Sequence, residues 1–154
     1  MRWPNGIHDR TSLRHDPCHF VDLVPTVLEL AGARTTDGAP AGAPPVAGRS
    51  LVPAFDKNGG APRDFLYFNH NSNRALRSGD WKLISTGTGY PKRAEWRDWE
   101  LYDLGRDRSE MVNLAPSHLE RVRQMEARWK QIDEDFTNRR ESAAASSKRL
   151  MPRR

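Results

Sequence analysis

A single cysteine, Cys18, stands in 154 residues, which excludes an intrachain disulfide framework and most thiolate-built zinc or iron-sulfur sites. Long apolar runs are missing as well. The strongest, from Phe20 to Ala31, is interrupted by Asp22, Pro25 and Glu29 and falls short of the ~20 apolar residues a bilayer crossing needs. The opening MRWPNGIHDR has no apolar core before its charges, so it is not expected to act as a cleaved export signal. No serine lies in a G-x-S-x-G elbow. Gly87 and Gly89 are followed by Tyr90-Pro91 rather than by the lysine and helix start of a phosphate loop.

Positive charge is plentiful but confined. Of the formal +5, all is carried by residues 139–154, through Arg139, Arg140, Lys148, Arg149, Arg153 and Arg154 against Glu141, and residues 1–138 are neutral. A nucleic-acid domain concentrates its basic groups on a folded surface. Here they sit beside SAAASS, with little to bury, so the composition predicts a basic disordered tail over 139–154 and no nucleic-acid partner.

Asp22 followed by LVPTVLELAG predicts a helix. Asp22 is the expected N-cap, accepting from the Val24 amide; Pro25 falls where an amide has no partner; Gly32 is the stop. Leu23, Val24, Val27, Leu28 and Ala31 repeat at helical spacing. Residues 33–62 are rich in Pro, Gly and Ala and read as a surface loop that touches the core through Val46, Leu51, Val52 and Phe55 after a Gly48 turn.

From Asp64 the pattern is that of strands. Phe65 to Phe68, Arg74 to Arg77 and Trp81 to Ile84, the last two joined by a Ser78-Gly79 turn, and then Trp99 to Leu104, predict three or four antiparallel strands. Such a sheet needs a cover. Leu119, Val122, Met125 or Glu126, Trp129, Ile132 and Phe136 supply one, a stripe at three- and four-residue intervals over about five turns. Ser117 and Glu120 are placed as its capping box. The fold class is α+β, a small antiparallel β-sheet packed by a long C-terminal α-helix.

His15, Asp16, Cys18 and His19 are the densest group of potential metal ligands, but one thiolate and the rigid Pro17 between the histidines do not make a zinc pattern. The remaining constellation is FNHNSNRALRSGDWKL. His70, Asn73 and Arg74 gather polar groups between two strands, and asparagine with arginine offers directed donors to an oxyanion. They are predicted to bind, not to catalyse, since no nucleophile and base are paired among them.

RWPNGI, VDLVPTVLELAG, GRSLVPAF, YFNHNSNRALRSGDWKLI and WELYDLGRDRSEMVNLA, followed by the amphipathic helix, resemble in order and spacing the C-terminal third of bacterial-type arylsulfatases, over residues 2 to about 136. The resemblance implies the C-terminal subdomain of an α/β sulfatase fold. Residues 1–32 would then be the remnant of a larger α/β domain, 33–62 a loop, and 63–138 the sheet plus helix, with 139–154 as the tail. Family chemistry uses a formylglycine made from cysteine or serine in C/S-x-P/A-x-R, beside a calcium ion held by carboxylates. Both are implied for a complete enzyme and neither for this chain, because Cys18 is followed by HFVD. Arg2-Trp3-Pro4 matches the segment after a core strand, and Asp22 and Pro25 match the helix start. His70, Asn73 and Arg74 match an H-x-G-N-R stretch at the pocket rim, with Ser72 in place of its glycine. Lys82 follows the W-K-L pattern on the hairpin surface. The chain is thus expected to be a piece of a sulfate-ester hydrolase, inactive alone, meeting its substrate only in the complete enzyme. The alternative is a non-catalytic module that completes a separately encoded N-terminal sulfatase portion.

Overall fold

The computed structural model describes residues 3, 6–8, 12–39, 46–88 and 95–150. Its chain falls into two compact units, one formed by Asp64–Ser142 and the other by the residues before Asp64 with those after Ser142. No helix among the described residues is long and apolar enough to cross a membrane.

The first unit is built around one short helix, α1 (Leu23–Leu30), entered through a 3-10 turn at Phe20–Asp22. The expected Asp22 cap on Val24 does not form. His19 caps the entry instead, its Nδ1 accepting from the Val21 amide at 3.3 Å, while Asp22 Oδ2 accepts from the His19 amide at 2.7 Å. The carboxylate has better employment than the helix start. Its Oδ1 accepts from the Arg49 amide at 2.9 Å and from the Arg63 guanidinium, and Asp22 is fully buried. One turn on, Thr26 Oγ1 donates to the Asp22 carbonyl at 2.6 Å and accepts from the Leu51 amide at 2.9 Å. Asp22 and Thr26, four residues apart on one helical face, thereby clamp the returning GRSL segment. Gly48 lets it approach: a Cβ there would lie 1.9 Å from the Val21 carbonyl oxygen. At the far end Gly32 takes φ 72° and the Ala33 amide bonds Leu28 O at 2.9 Å, a glycine stop of the expected kind.

Loop 33–62 returns through a 3-10 turn at Val52–Ala54, with Ala54 and Phe55 buried. Arg14 holds it from outside by donating to the carbonyls of Ala54 and Phe55, each at 2.9 Å. Asp16 accepts from the amides of Gly59 and Ala61.

The second unit is the expected α+β arrangement. β1 (Leu66–His70), β2 (Asn73–Ser78), β3 (Trp81–Ser85) and β6 (Glu100–Asp103) form an antiparallel sheet in the order β1-β2-β3-β6, and a two-residue pair, β4 (Gly87–Thr88) with β5 (Glu95–Trp96), extends from it in the chain. Gly79, at φ 57°, supplies the left-handed residue of the β2–β3 turn. Tyr67, Leu76, Leu83 and Leu101 stand opposite one another in register across all four strands. The three leucines have no exposed surface, and burying each is worth about 1.5–3 kcal/mol.

Helix α2 (Leu119–Leu150) covers that row. Met125 and Trp129 are buried, with Val122 and Ile132 packed against the same core, as the stripe predicts. Trp129 stacks on Tyr67 at 5.6 Å and its indole donates to Phe68 O at 3.2 Å. Two details differ from expectation. Leu119 is 58% exposed. The capping box is absent, because Ser117 lies in a preceding 3-10 turn and donates to Leu114 O, while Glu120 accepts from Gln124 one turn on. The backbone of α2 stays helical over 139–150, where composition alone predicted disorder; Ala143, Ala144 and Ala145 are the strongest helix formers available to sustain it. Residues 151–154, Arg2, Pro4, Gly89, Tyr90 and Pro91 lie outside the described residues.

Candidate functional site: the β1–β2 hairpin

His70 and Asn73 are the last residue of β1 and the first of β2, paired directly across the hairpin. Asn71, at φ 54°, makes the connecting turn, a conformation asparagine tolerates better than most residues. Both His70 and Asn73 are exposed, and Asn71 Nδ2 lies 3.2 Å from His70 Nε2. Three polar residues thus lie together at one hairpin tip.

Arg74 does not join them. Side chains alternate along a strand, so Arg74 emerges on the opposite face, in the row Asn69–Arg74–Ser85 beneath α2. Its guanidinium lies 3.9 Å from the ring centroid of Trp99 and 5.7 Å from that of Trp129, and the residue is buried. Burial lowers its pKa from the ordinary arginine value, and the Glu126 carboxylate opposes that shift. Glu126 is itself held below the usual glutamate value by Lys130, whose Nζ is 2.8 Å away, against burial that raises it; Trp99 and Arg74 add to the lowering. The sequence placed His70, Asn73 and Arg74 together because they are close in the chain. The pleat separates the arginine from the other two.

The same helix-covered face carries a second polar group that sequence reasoning missed. Asp133 of α2 accepts from the Tyr67 hydroxyl and from Asn69 Nδ2, the latter at 2.9 Å. Burial and Asp133 together raise the Tyr67 pKa, so this phenol is a locked donor rather than an acid. Its signal was the spacing of Trp129 and Asp133, one turn apart on the covering face. Lys82, expected on the hairpin surface, is partly buried and pairs with Glu110 at 2.6 Å.

The group His15, Asp16, Cys18 and His19 is dispersed among local tasks: Asp16 and His19 act as the loop and turn acceptors described above, His15 donates its amide to Asn58, and Cys18 is exposed. No three His, Cys, Asp or Glu side chains among the described residues are grouped so as to hold a metal ion. Cys18 is followed by HFVD rather than by the residues of a formylglycine motif, and the described residues do not fit a calcium site.

No family model matches the chain. Over 119 residues it is 31% identical to an uncharacterized sulfatase of Schizosaccharomyces pombe, a match covering 71% of this chain and 20% of that protein. Over 109 residues it is 30% identical to arylsulfatase K of Danio rerio, covering 64% of this chain and 18% of that one. The chain therefore spans about a fifth of the length of the curated relatives it matches. Among solved structures, the yidJ protein of Bacteroides fragilis, assigned to the sulfatases, aligns with a TM-score of 0.57 at 24% identity, over 86% of this chain and 28% of that one. BT4656, solved with its substrate D-glucosamine-2-N,6-O-disulfate, aligns with a TM-score of 0.54 at 21% identity, over 76% of this chain and 24% of that one. These last two establish a shared fold. Taken with the sequence matches, they make this chain a member of the sulfatase/alkaline-phosphatase-like superfamily.

Proposed function

We propose that this chain supplies the C-terminal sheet-and-helix part of an arylsulfatase-type hydrolase of sulfate esters, and that it binds rather than cleaves. The observation that carries the reading is the 31% identity over 119 residues to a sulfatase, in a chain that spans a fifth of it. Support for a binding role comes from the hairpin tip. His70 and Asn73 stand opposite each other on paired strands, so their backbone positions are fixed before any ligand arrives, which lowers the ordering cost of a contact to a sulfate or hydroxyl oxygen. Arg74 enters as the support of that tip, since its stacking on Trp99 ties β2 to the segment before β6.

The test uses a chimera of Danio rerio arylsulfatase K in which the segment matching this chain is replaced by it. The chain by itself is expected to release no sulfate from p-nitrophenyl sulfate, because its sequence has no C/S-x-P/A-x-R nucleophile motif and no metal-holding group stands among the described residues. In the chimera, His70→Ala or Asn73→Ala should raise KM by roughly 5- to 150-fold, corresponding to about 1–3 kcal/mol for a substrate group left unpaired. Turnover by the chain alone, or unchanged kinetics of both variants in an active chimera, would refute the proposal.

A further inference from the structure

Helix α2 carries a row of arginines that neither the sheet core nor the hairpin tip uses. Arg121, Arg128 and Arg139 follow one another at seven and eleven residues, close to about two and three whole turns, so they share one side of the helix over about 27 Å. All three are exposed. Two are positioned by aromatic rings: the Arg121 guanidinium lies 4.3 Å from the ring centroid of Trp81, and that of Arg128 lies 5.2 Å from the ring of Phe65. Among the described residues no carboxylate stands within ion-pair distance of any of the three. An aromatic face attracts the cation but accepts none of the N–H donors in the guanidinium plane, and those donors match the paired oxygens of an anionic group. The row is also remote from the hairpin tip. Phe65 is five residues before His70, about 17 Å along an extended strand. His70 and Asn73 alternate with Asn69 and Arg74, so they leave the sheet on the face that α2 does not cover.

We propose that Arg121, Arg128 and Arg139 form an anchoring track for a sulfated polysaccharide chain, separate from the hairpin tip. Cations spread over such a length are met together only by an extended ligand that carries several anionic groups, and each contact made raises the local concentration of the next group on the same polymer. The stacking of Arg121 and Arg128 on their rings holds the first two contacts in place before the ligand arrives, which lowers the ordering cost. The choice of sulfate as the anionic group rests on the functional reading above; the track itself does not. A nucleic acid is the poorer occupant, because residues 1–138 carry no net charge, whereas binding to a phosphate backbone draws on many basic groups at once. Asp135 lies on the same side of α2 between Arg128 and Arg139, and its exposed carboxylate opposes an anion there.

Fluorescence anisotropy of labelled dextran sulfate, titrated with the full chain at low ionic strength, tests the track. Binding is expected and should weaken steeply with added salt. Arg121→Gln/Arg128→Gln should weaken it at least about tenfold, since two charge-assisted contacts are lost. Arg123→Gln/Arg140→Gln removes the same charge from positions roughly 100° or more around the helix and should cost clearly less. Asp135→Asn should tighten binding by roughly twofold or more, a gain that a damaged fold does not produce. Equal losses in the two double variants would overturn the track, because net charge alone would then account for binding. An unchanged or weakened Asp135→Asn, no binding by the native chain, or a DNA duplex bound as tightly as dextran sulfate would overturn it as well. In the Danio rerio chimera, Arg121→Gln/Arg128→Gln should leave KM for p-nitrophenyl sulfate unchanged; a raised KM for this small ester would put the row at the reaction site and refute its separateness. A chimera that releases no sulfate refutes the functional reading, whereas the track stands or falls on the dextran sulfate titrations, so the two failures are distinct.

Discussion

Asp22 and Arg74 are two buried charges neutralised by different means, and each makes a prediction. Burial pushes the Asp22 carboxyl up, but the amides of Arg49 and His19 and the Arg63 guanidinium outweigh it and hold the pKa below the ordinary aspartate value. The stabilisation is complete above the ~3.9 of an unfolded aspartate and is lost as pH falls through the lower folded value. Asp22→Ala should cost about 3–5 kcal/mol at neutral pH, since it strands a partly buried arginine. The gap in urea midpoint between the native chain and Asp22→Asn should be constant above about pH 4 and narrow as pH falls below it. A gap independent of pH would show that the carboxylate is not charged in the fold. Arg74 lies over the rings of Trp99 and Trp129, and Arg74→Lys loses the planar stacking while keeping the charge. A cost of about 1–2 kcal/mol is expected for a desolvated cation–aromatic pair, largely abolished in a Trp99→Leu background by a double-mutant cycle.

At the scale of elements, the contacts that matter are those where one segment crosses another. Trp129→Ala should destabilise by about 3–5 kcal/mol, because the side chain is only 2% exposed and touches Tyr67, Trp99 and the β1 edge at Phe68. Phe136 also stacks on Tyr67, at 5.4 Å, yet stays 43% exposed, so Phe136→Ala should cost clearly less. Guanidinium melts of both variants order the two. In the other unit, Gly48→Ala forces the GRSL segment away from Val21 and should cost about 1–3 kcal/mol, in the manner of overpacking. Hydrogen exchange should show the Arg49 and Leu51 amides losing protection first, since the Asp22 and Thr26 side chains that hold them would be pulled out of range.

At the scale of the whole chain, the net positive charge lies C-terminal to the buried core of the sheet-and-helix unit. Among the described residues, the last of α2 with an aromatic contact is Phe136, whereas the net positive charge begins at Arg139. Ending the chain after Ser142 should therefore leave the thermal midpoint of the sheet-and-helix unit unchanged by differential scanning calorimetry. A fall of more than a few degrees would mean that the basic segment is held against the fold.

Element types and the covering stripe were legible in the sequence because they rest on local periodicity: alternation along β2 and β3, a glycine where φ must be positive, and apolar residues every three or four positions through Val122, Trp129 and Ile132. The partners of polar groups were not legible. Asp22 was placed as a helix cap from its neighbours in the chain, yet it bonds Arg49 and Arg63, which only folding brings near. Ser117 lost its capping role to a 3-10 turn for the same reason. His70, Asn73 and Arg74 could be picked out as a cluster by proximity, but which face each serves depends on strand register and on where α2 lies. A hydrogen-bond donor or a cation is satisfied by whatever the tertiary fold delivers within about 3–4 Å, and a linear sequence carries no such distances. Periodicity determined which faces are apolar; only the tertiary structure decided that α2 covers the sheet's apolar row while the stripe of α1 is left outward by the clamp on its polar side.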